Sequence, residues 1–86
     1  EFLVVLPNTS IDTAAQIAER LRVAFQESSV LENGREITAT ISLGISEFPD
    51  DGATETEALK LADKALYAAK HNGRNQVALW SRIKNN

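Results

Sequence analysis

Lys70 and Arg74 stand four residues apart in Lys70-His71-Asn72-Gly73-Arg74. On a helix that spacing puts both on one face, with Cβ atoms about 5–6 Å apart. A lysine point charge beside a planar guanidinium suits a triphosphate. The same pair also complements the negative end of a helix dipole, and spacing by itself favours this second role. Asp63 lies one turn before Tyr67 and two before Lys70. It can orient Lys70 or Arg74 as a supporting carboxylate, or simply sit on a solvated face or pair with Lys64. Other chemistries are poorly served. His71 is the only histidine and cysteine is absent, which disfavours a multi-histidine zinc site, a thiolate nucleophile and a triad with a choice of bases. Asp50-Asp51 and Glu55 with Glu57 read as a solvated turn and a helix cap rather than a metal site.

These side chains need elements to hold them. Glu55 to Asn72 reads as a helix, opened by Thr54 with Glu57 three residues on, the capping-box spacing. Leu59, Ala62, Ala65 with Leu66, and Ala69 form its apolar stripe, and Gly73 sits where a left-handed cap residue belongs. An earlier amphipathic helix spans 12–27, with Ala14, Ile17, Ala18, Leu21, Ala24 and Phe25 at three- and four-residue spacing. Thr9 or Ser10 caps its start. Asn33-Gly34 is the strongest hairpin signal. Residues 37–45 then alternate, with Ile37, Ala39, Ile41, Leu43 and Ile45 on one face and Thr38, Thr40, Ser42 and Gly44 on the other. That second face is small and polar, either solvated or kept low so that another backbone or a ligand approaches. Phe2–Leu6 predicts a buried first strand and 76–80 a last one; 81–86 reads as a frayed end. Phe25, Phe48, Tyr67 and Trp80 read as core or core-edge aromatics. The order strand, helix, hairpin, helix, strand predicts an α+β sandwich, with helices on one face of a mainly antiparallel sheet.

Eighty-six residues make one domain at most. A net charge of −3 does not favour nonspecific nucleic-acid binding. No unbroken apolar run exceeds five residues, as at Phe2–Leu6, too short to span a membrane. The chain runs from Glu1 directly into a strand-like segment, as expected of a piece of a longer protein.

Glu1-Phe2 before the first strand, Ile41-Ser42-Leu43-Gly44-Ile45, Ala62-Asp63-Lys64-Ala65-Leu66-Tyr67, Ala69-Lys70 and Gly73-Arg74-Asn75 together closely resemble the C-terminal half of a GGDEF domain, the catalytic module of diguanylate cyclases. The resemblance covers essentially all of 1–86, so the chain reads as a partial GGDEF domain lacking its N-terminal side. It implies a ferredoxin-like palm of the nucleotidyl-cyclase type. It implies condensation of two GTP molecules to cyclic di-GMP with release of pyrophosphate, by a homodimer using Mg²⁺ or Mn²⁺. Lys70 and Arg74 match the family's phosphate-binding pair. Glu1 matches the fourth signature letter, a catalytic carboxylate. Arg20 stands where some family members carry a secondary product-binding arginine, a variable role, and an ordinary helix-surface arginine is the favoured reading. Gly44 matches the Gly of the family's S-I-G strand and reads as structural.

The resemblance places the remaining signature letters, the other metal-binding aspartate, the guanine contacts and the R-x-x-D motif upstream of Glu1. The 86 residues alone are therefore expected to bind no metal and to be inactive. The parent is expected to be a bacterial cytoplasmic protein, with a sensory or regulatory domain upstream and any membrane anchor in other segments. No nucleic-acid partner or membrane contact is expected of this stretch. Two rivals remain: a degenerate GGDEF module that binds GTP, cyclic di-GMP or a partner without catalysis, and a ferredoxin-like RNA-binding or regulatory module. The net charge and the lack of an aromatic-basic strand argue against RNA. Loss of the upstream half should also expose sheet edge, inviting a nonnative dimer or exchanged segments.

Overall fold

The computed structural model describes residues 9–83. The predicted strand Phe2–Leu6 lies outside them. The first helix, α1, spans Ile11–Glu27, and Ser10 caps it by accepting a hydrogen bond from the Thr13 amide at 3.2 Å. It stops at Ser28, whose extended backbone (ψ 137°) leads straight into β1, Ser29–Glu32. Asn33 (φ 54°) and Gly34 (φ 78°) then reverse the chain. Both residues are left-handed, as a type I′ turn requires. The turn fixes the antiparallel register of β1 with β2, Arg35–Thr38, so that Val30 faces Ile37 and Glu32 faces Arg35. All eight strand residues of this hairpin are exposed.

The alternating stretch 37–45 is broken rather than continuous. Residues 39–42 belong to no strand, and pairing resumes as β3, Leu43–Ile45. This strand pairs in parallel with β4, Val77–Leu79, in register Leu43↔Val77 and Ile45↔Leu79. The parallel sense departs from the mainly antiparallel expectation and has a simple cause. The helix α2, Glu55–His71, connects the two strands, and a helical crossover carries the chain back to start its second strand in the same direction. Both long helices pack against the β3–β4 ladder, and the α+β class stands.

The α2 start is built as its sequence suggests. The Thr54 hydroxyl accepts from the Glu57 amide at 3.1 Å, while the Glu57 carboxylate accepts from the Ala53 amide at 3.0 Å, one residue earlier than in the usual box. Thr54→Ala is expected to cost about 1 kcal/mol of stability, measurable as a lowered denaturant midpoint with an unchanged slope.

The core is small and made mostly of alanine. Ala18, Ala58, Ala65, Ala69 and Leu79 are its buried hydrophobic residues, and Ala65 and Ala69 are fully covered. The reason lies opposite them. A Cβ built on Gly44 would stand 2.2 Å from the Leu66 nitrogen and 2.3 Å from the Ala62 carbonyl oxygen. Glycine on β3 and alanine on α2 thus bring strand and helix backbones together. Of the two roles open to the low face of 37–45, close backbone approach is the one observed at Gly44.

The predicted stripes are correspondingly less buried than their spacing suggests. Leu21, Phe25 and Leu59 are exposed, as are Phe48 and Tyr67, while Trp80 is half-buried. The supposed frayed end holds a helical turn, α3, Trp80–Ile83.

Candidate phosphate-binding site

Lys70 belongs to the last turn of α2. Arg74 does not lie on that helix. The helix closes at His71, and Gly73 (φ 112°) turns the backbone left-handed. The Arg74 amide then returns to the Ala69 carbonyl at 3.0 Å, which completes a Schellman cap. The single helix face inferred from the four-residue spacing is therefore replaced by two supports, a helix end for Lys70 and a left-handed loop for Arg74. Both side chains are exposed, and neither makes a hydrogen bond or ion pair among the described residues.

That loop is tightly specified. Arg74 (φ 62°) and Asn75 (φ 51°) follow Gly73 in the left-handed region, which few non-glycine residues enter. Gln76 Nε2 donates to the Asn72 carbonyl at 2.9 Å and to the Arg74 carbonyl at 3.1 Å. The Asn75 amide donates to Ser42 Oγ at 3.0 Å, and the Leu43 amide to the Gln76 carbonyl at 2.9 Å. From the other side, Arg22 Nη1 donates to Asn75 Oδ1 at 2.9 Å.

Arg22 is itself held on α1. It pairs with Glu19, with Nε to Oε1 at 2.9 Å, and also reaches Gln26 Oε1 at 3.1 Å. The hydrogen bond from Arg22 holds the Glu19 carboxyl below the usual range, and the same bond raises the Arg22 guanidinium. Sequence reasoning singled out neither Arg22 nor Asn75 as individual residues. The one available signal was the Gly73-Arg74-Asn75 run. Arg20 is exposed on α1 with no side-chain partner among the described residues.

Beside Lys70 is a hollow of about 270 Å³, lined by Asp63, Leu66, Tyr67 and Lys70. Asp63 thus shares a surface with Lys70. It forms no ion pair among the described residues, so neither of its suggested contacts, with the cations or with Lys64, is present. The Lys64 ammonium stands 6.0 Å from the centroid of the Trp80 ring instead. His71 is exposed and packs on Tyr67, with ring centroids 4.0 Å apart. Glu1 lies outside the described residues.

A separate acidic turn runs from Glu47 to Asp51. The Glu47 amide donates to Asp51 Oδ2 at 2.7 Å, and the Asp51 amide to the Glu47 carbonyl at 2.9 Å. Partial burial first, then the charges of Asp50 and Asp51, raise the Glu47 carboxyl above its usual range. A raised carboxyl binds its proton more tightly when folded, so its contribution is present in acid and is lost as pH rises through the folded value. Glu47→Gln is therefore expected to raise the thermal midpoint at pH 7 and to lose that advantage below about pH 4. Thermal scans at the two pH values check this. Among the described residues, no group of three or more His, Cys, Asp or Glu side chains could hold a metal ion.

The fold is consistent with a truncated palm of the nucleotidyl-cyclase type. The chain superposes with a TM-score of 0.77 on the GGDEF domain of DgcB from Caulobacter crescentus, solved in complex with c-di-GMP. That match has 26% identity and covers 87% of this chain and 44% of the other. The family model described as diguanylate cyclase, GGDEF domain, matches residues 1–76. The chain belongs to the GGDEF family. It is 44% identical over 79 residues to diguanylate cyclase A of Treponema denticola, covering 92% of this chain and 21% of that protein. It is 42% identical over 79 residues to the response regulator PleD of Caulobacter vibrioides, covering 90% of this chain and 17% of that protein. The chain thus spans about a fifth of the length of these curated relatives.

Proposed function

We propose that this chain is part of a diguanylate cyclase that joins two GTP molecules into cyclic di-GMP with release of two pyrophosphates. The observation that carries this reading is the pair of uncommitted cations at the end of α2, within a chain whose relatives include a diguanylate cyclase. Two domains face each other in a homodimer, each holding one GTP. Each ribose 3′-hydroxyl attacks the α-phosphorus of the other nucleotide, and the bond to the bridging oxygen of pyrophosphate breaks. Lys70 and Arg74 hold the triphosphate and offset the charge that builds on the leaving pyrophosphate. Asp63 lines the same hollow as Lys70 and is proposed as its supporting carboxylate once nucleotide is bound. A Mg²⁺ or Mn²⁺ ion, when bound, would neutralise phosphate charge; the described residues do not fit it as a ligand set. Glu1 is proposed as the catalytic carboxylate and Arg20 as a product contact.

The similarity to PleD, a response regulator, supports a regulatory domain elsewhere in the parent. No helix among the described residues is long and apolar enough to cross a membrane. A cytoplasmic site of action is part of the proposal.

The test is incubation of the complete protein with GTP and Mg²⁺, followed by chromatography of the nucleotides. Cyclic di-GMP should accumulate. Bound but unconverted GTP would instead identify a degenerate binding module. The 86 residues alone are expected to give no product.

A further inference from the structure

We infer that Asn75 and Arg22 are positioning residues that set the Arg74 guanidinium for phosphate binding. This rests on the phosphate-binding role proposed above for Arg74. The Arg74 side chain makes no hydrogen bond, ion pair or ring contact among the described residues, so its aim depends on its backbone. That backbone is left-handed at three successive residues, two of them not glycine, a conformation that surrounding structure must impose. Asn75 imposes it from two directions. Its amide is tied to Ser42 just before β3, and its side-chain oxygen to Arg22 on α1. The Arg22 contact joins residues 53 apart in sequence and is partly buried. Arg22 is pre-set by Glu19 and Gln26 on its own helix, so little freedom is lost in reaching Asn75. The result is a brace from α1 to the loop, one residue beyond the cation that needs aiming. Asparagine suits the position because it tolerates left-handed backbone better than most residues while offering an acceptor.

The test is a double-mutant cycle in the complete protein, read as KM for GTP and kcat. Asn75→Gly keeps a left-handed backbone accessible and removes the acceptor. It should raise KM on the order of tenfold with kcat changed far less. Asn75→Asp keeps an acceptor for Arg22 and should stay close to wild type, and Arg22→Met should reproduce Asn75→Gly. In an Arg74→Ala background, Asn75→Gly should have no further effect, because its influence passes through Arg74. A wild-type KM for Asn75→Gly beside a weakened Arg74→Ala would overturn the positioning role alone. So would full additivity of the two substitutions, which marks a merely structural residue. An unchanged Arg74→Ala would instead overturn the phosphate-binding role on which the inference stands.

Discussion

Lys70→Ala and Arg74→Ala in the complete protein should each lower kcat/KM for GTP by about 10²-fold, roughly 3 kcal/mol of lost transition-state stabilisation. Both side chains stand exposed beside the α2 C-terminus with no partner among the described residues. Their removal therefore breaks no hydrogen bond or ion pair among the described residues, and stability should hardly change. The loss should fall mainly on KM for GTP, as the Asn75→Gly variant should show in smaller measure, with a lesser part in kcat as pyrophosphate departs. Lys70→Arg should recover only part of the activity, because a guanidinium is broader and planar where the ammonium is a compact charge. Steady-state kinetics with pyrophosphate detection, alongside thermal scans, separates this outcome from simple unfolding. Cations that served only the helix dipole would show the reverse, a loss of a few tenths of a kcal/mol in stability with turnover intact.

Gly44→Ala should be the most damaging glycine-to-alanine change among the described residues. The added carbon would meet the Leu66 nitrogen at 2.2 Å, the Ala62 carbonyl oxygen at 2.3 Å and the Leu66 Cα at 2.8 Å. All three are backbone atoms, so no side-chain rotation relieves the overlap. Strand and helix must separate, and the covered faces of Ala65 and Ala69 lose contact. The cost should be about 3 kcal/mol or more, which in a domain of this size lowers the midpoint on the order of 15 °C. Gly34→Ala is the control. It meets nothing within 4 Å and suffers only from its positive φ of 78°, at about 1 kcal/mol. Equal midpoints for the two variants would refute the close-packed role of Gly44.

The elements easiest to read from sequence were those with local causes. Asn33-Gly34 specified its turn, Thr54 its helix start and Gly73 its helix end, because each acts within four residues. The two long helices followed from periodicity. What escaped were consequences of non-local pairing. The break after Thr38 leaves the hairpin exposed while β3 turns to β4, and an alternating pattern carries no record of which partner each half takes. Burial was overestimated for Leu21, Phe25 and Leu59 for a similar reason: a stripe says which face is apolar, not what covers it.

The site divided in the same way. Lys70 and Arg74 were legible as a pair, but their shared helix face was not, since the Gly73 signal that ends the helix also removes Arg74 from it. The Arg22–Asn75 bond joins residues that sequence spacing cannot bring together. The role assigned to Glu1 came from resemblance alone.

The most direct measurement follows both products of the complete protein incubated with GTP and Mg²⁺. Cyclic di-GMP is read by chromatography and pyrophosphate by a coupled assay, for wild type and Arg74→Ala side by side. Two pyrophosphates for each cyclic di-GMP, with both falling together in Arg74→Ala, is the expected result. GTP that binds and stays intact, or product formation that Arg74→Ala leaves untouched, would contradict a cyclase whose phosphate grip is built at the end of α2.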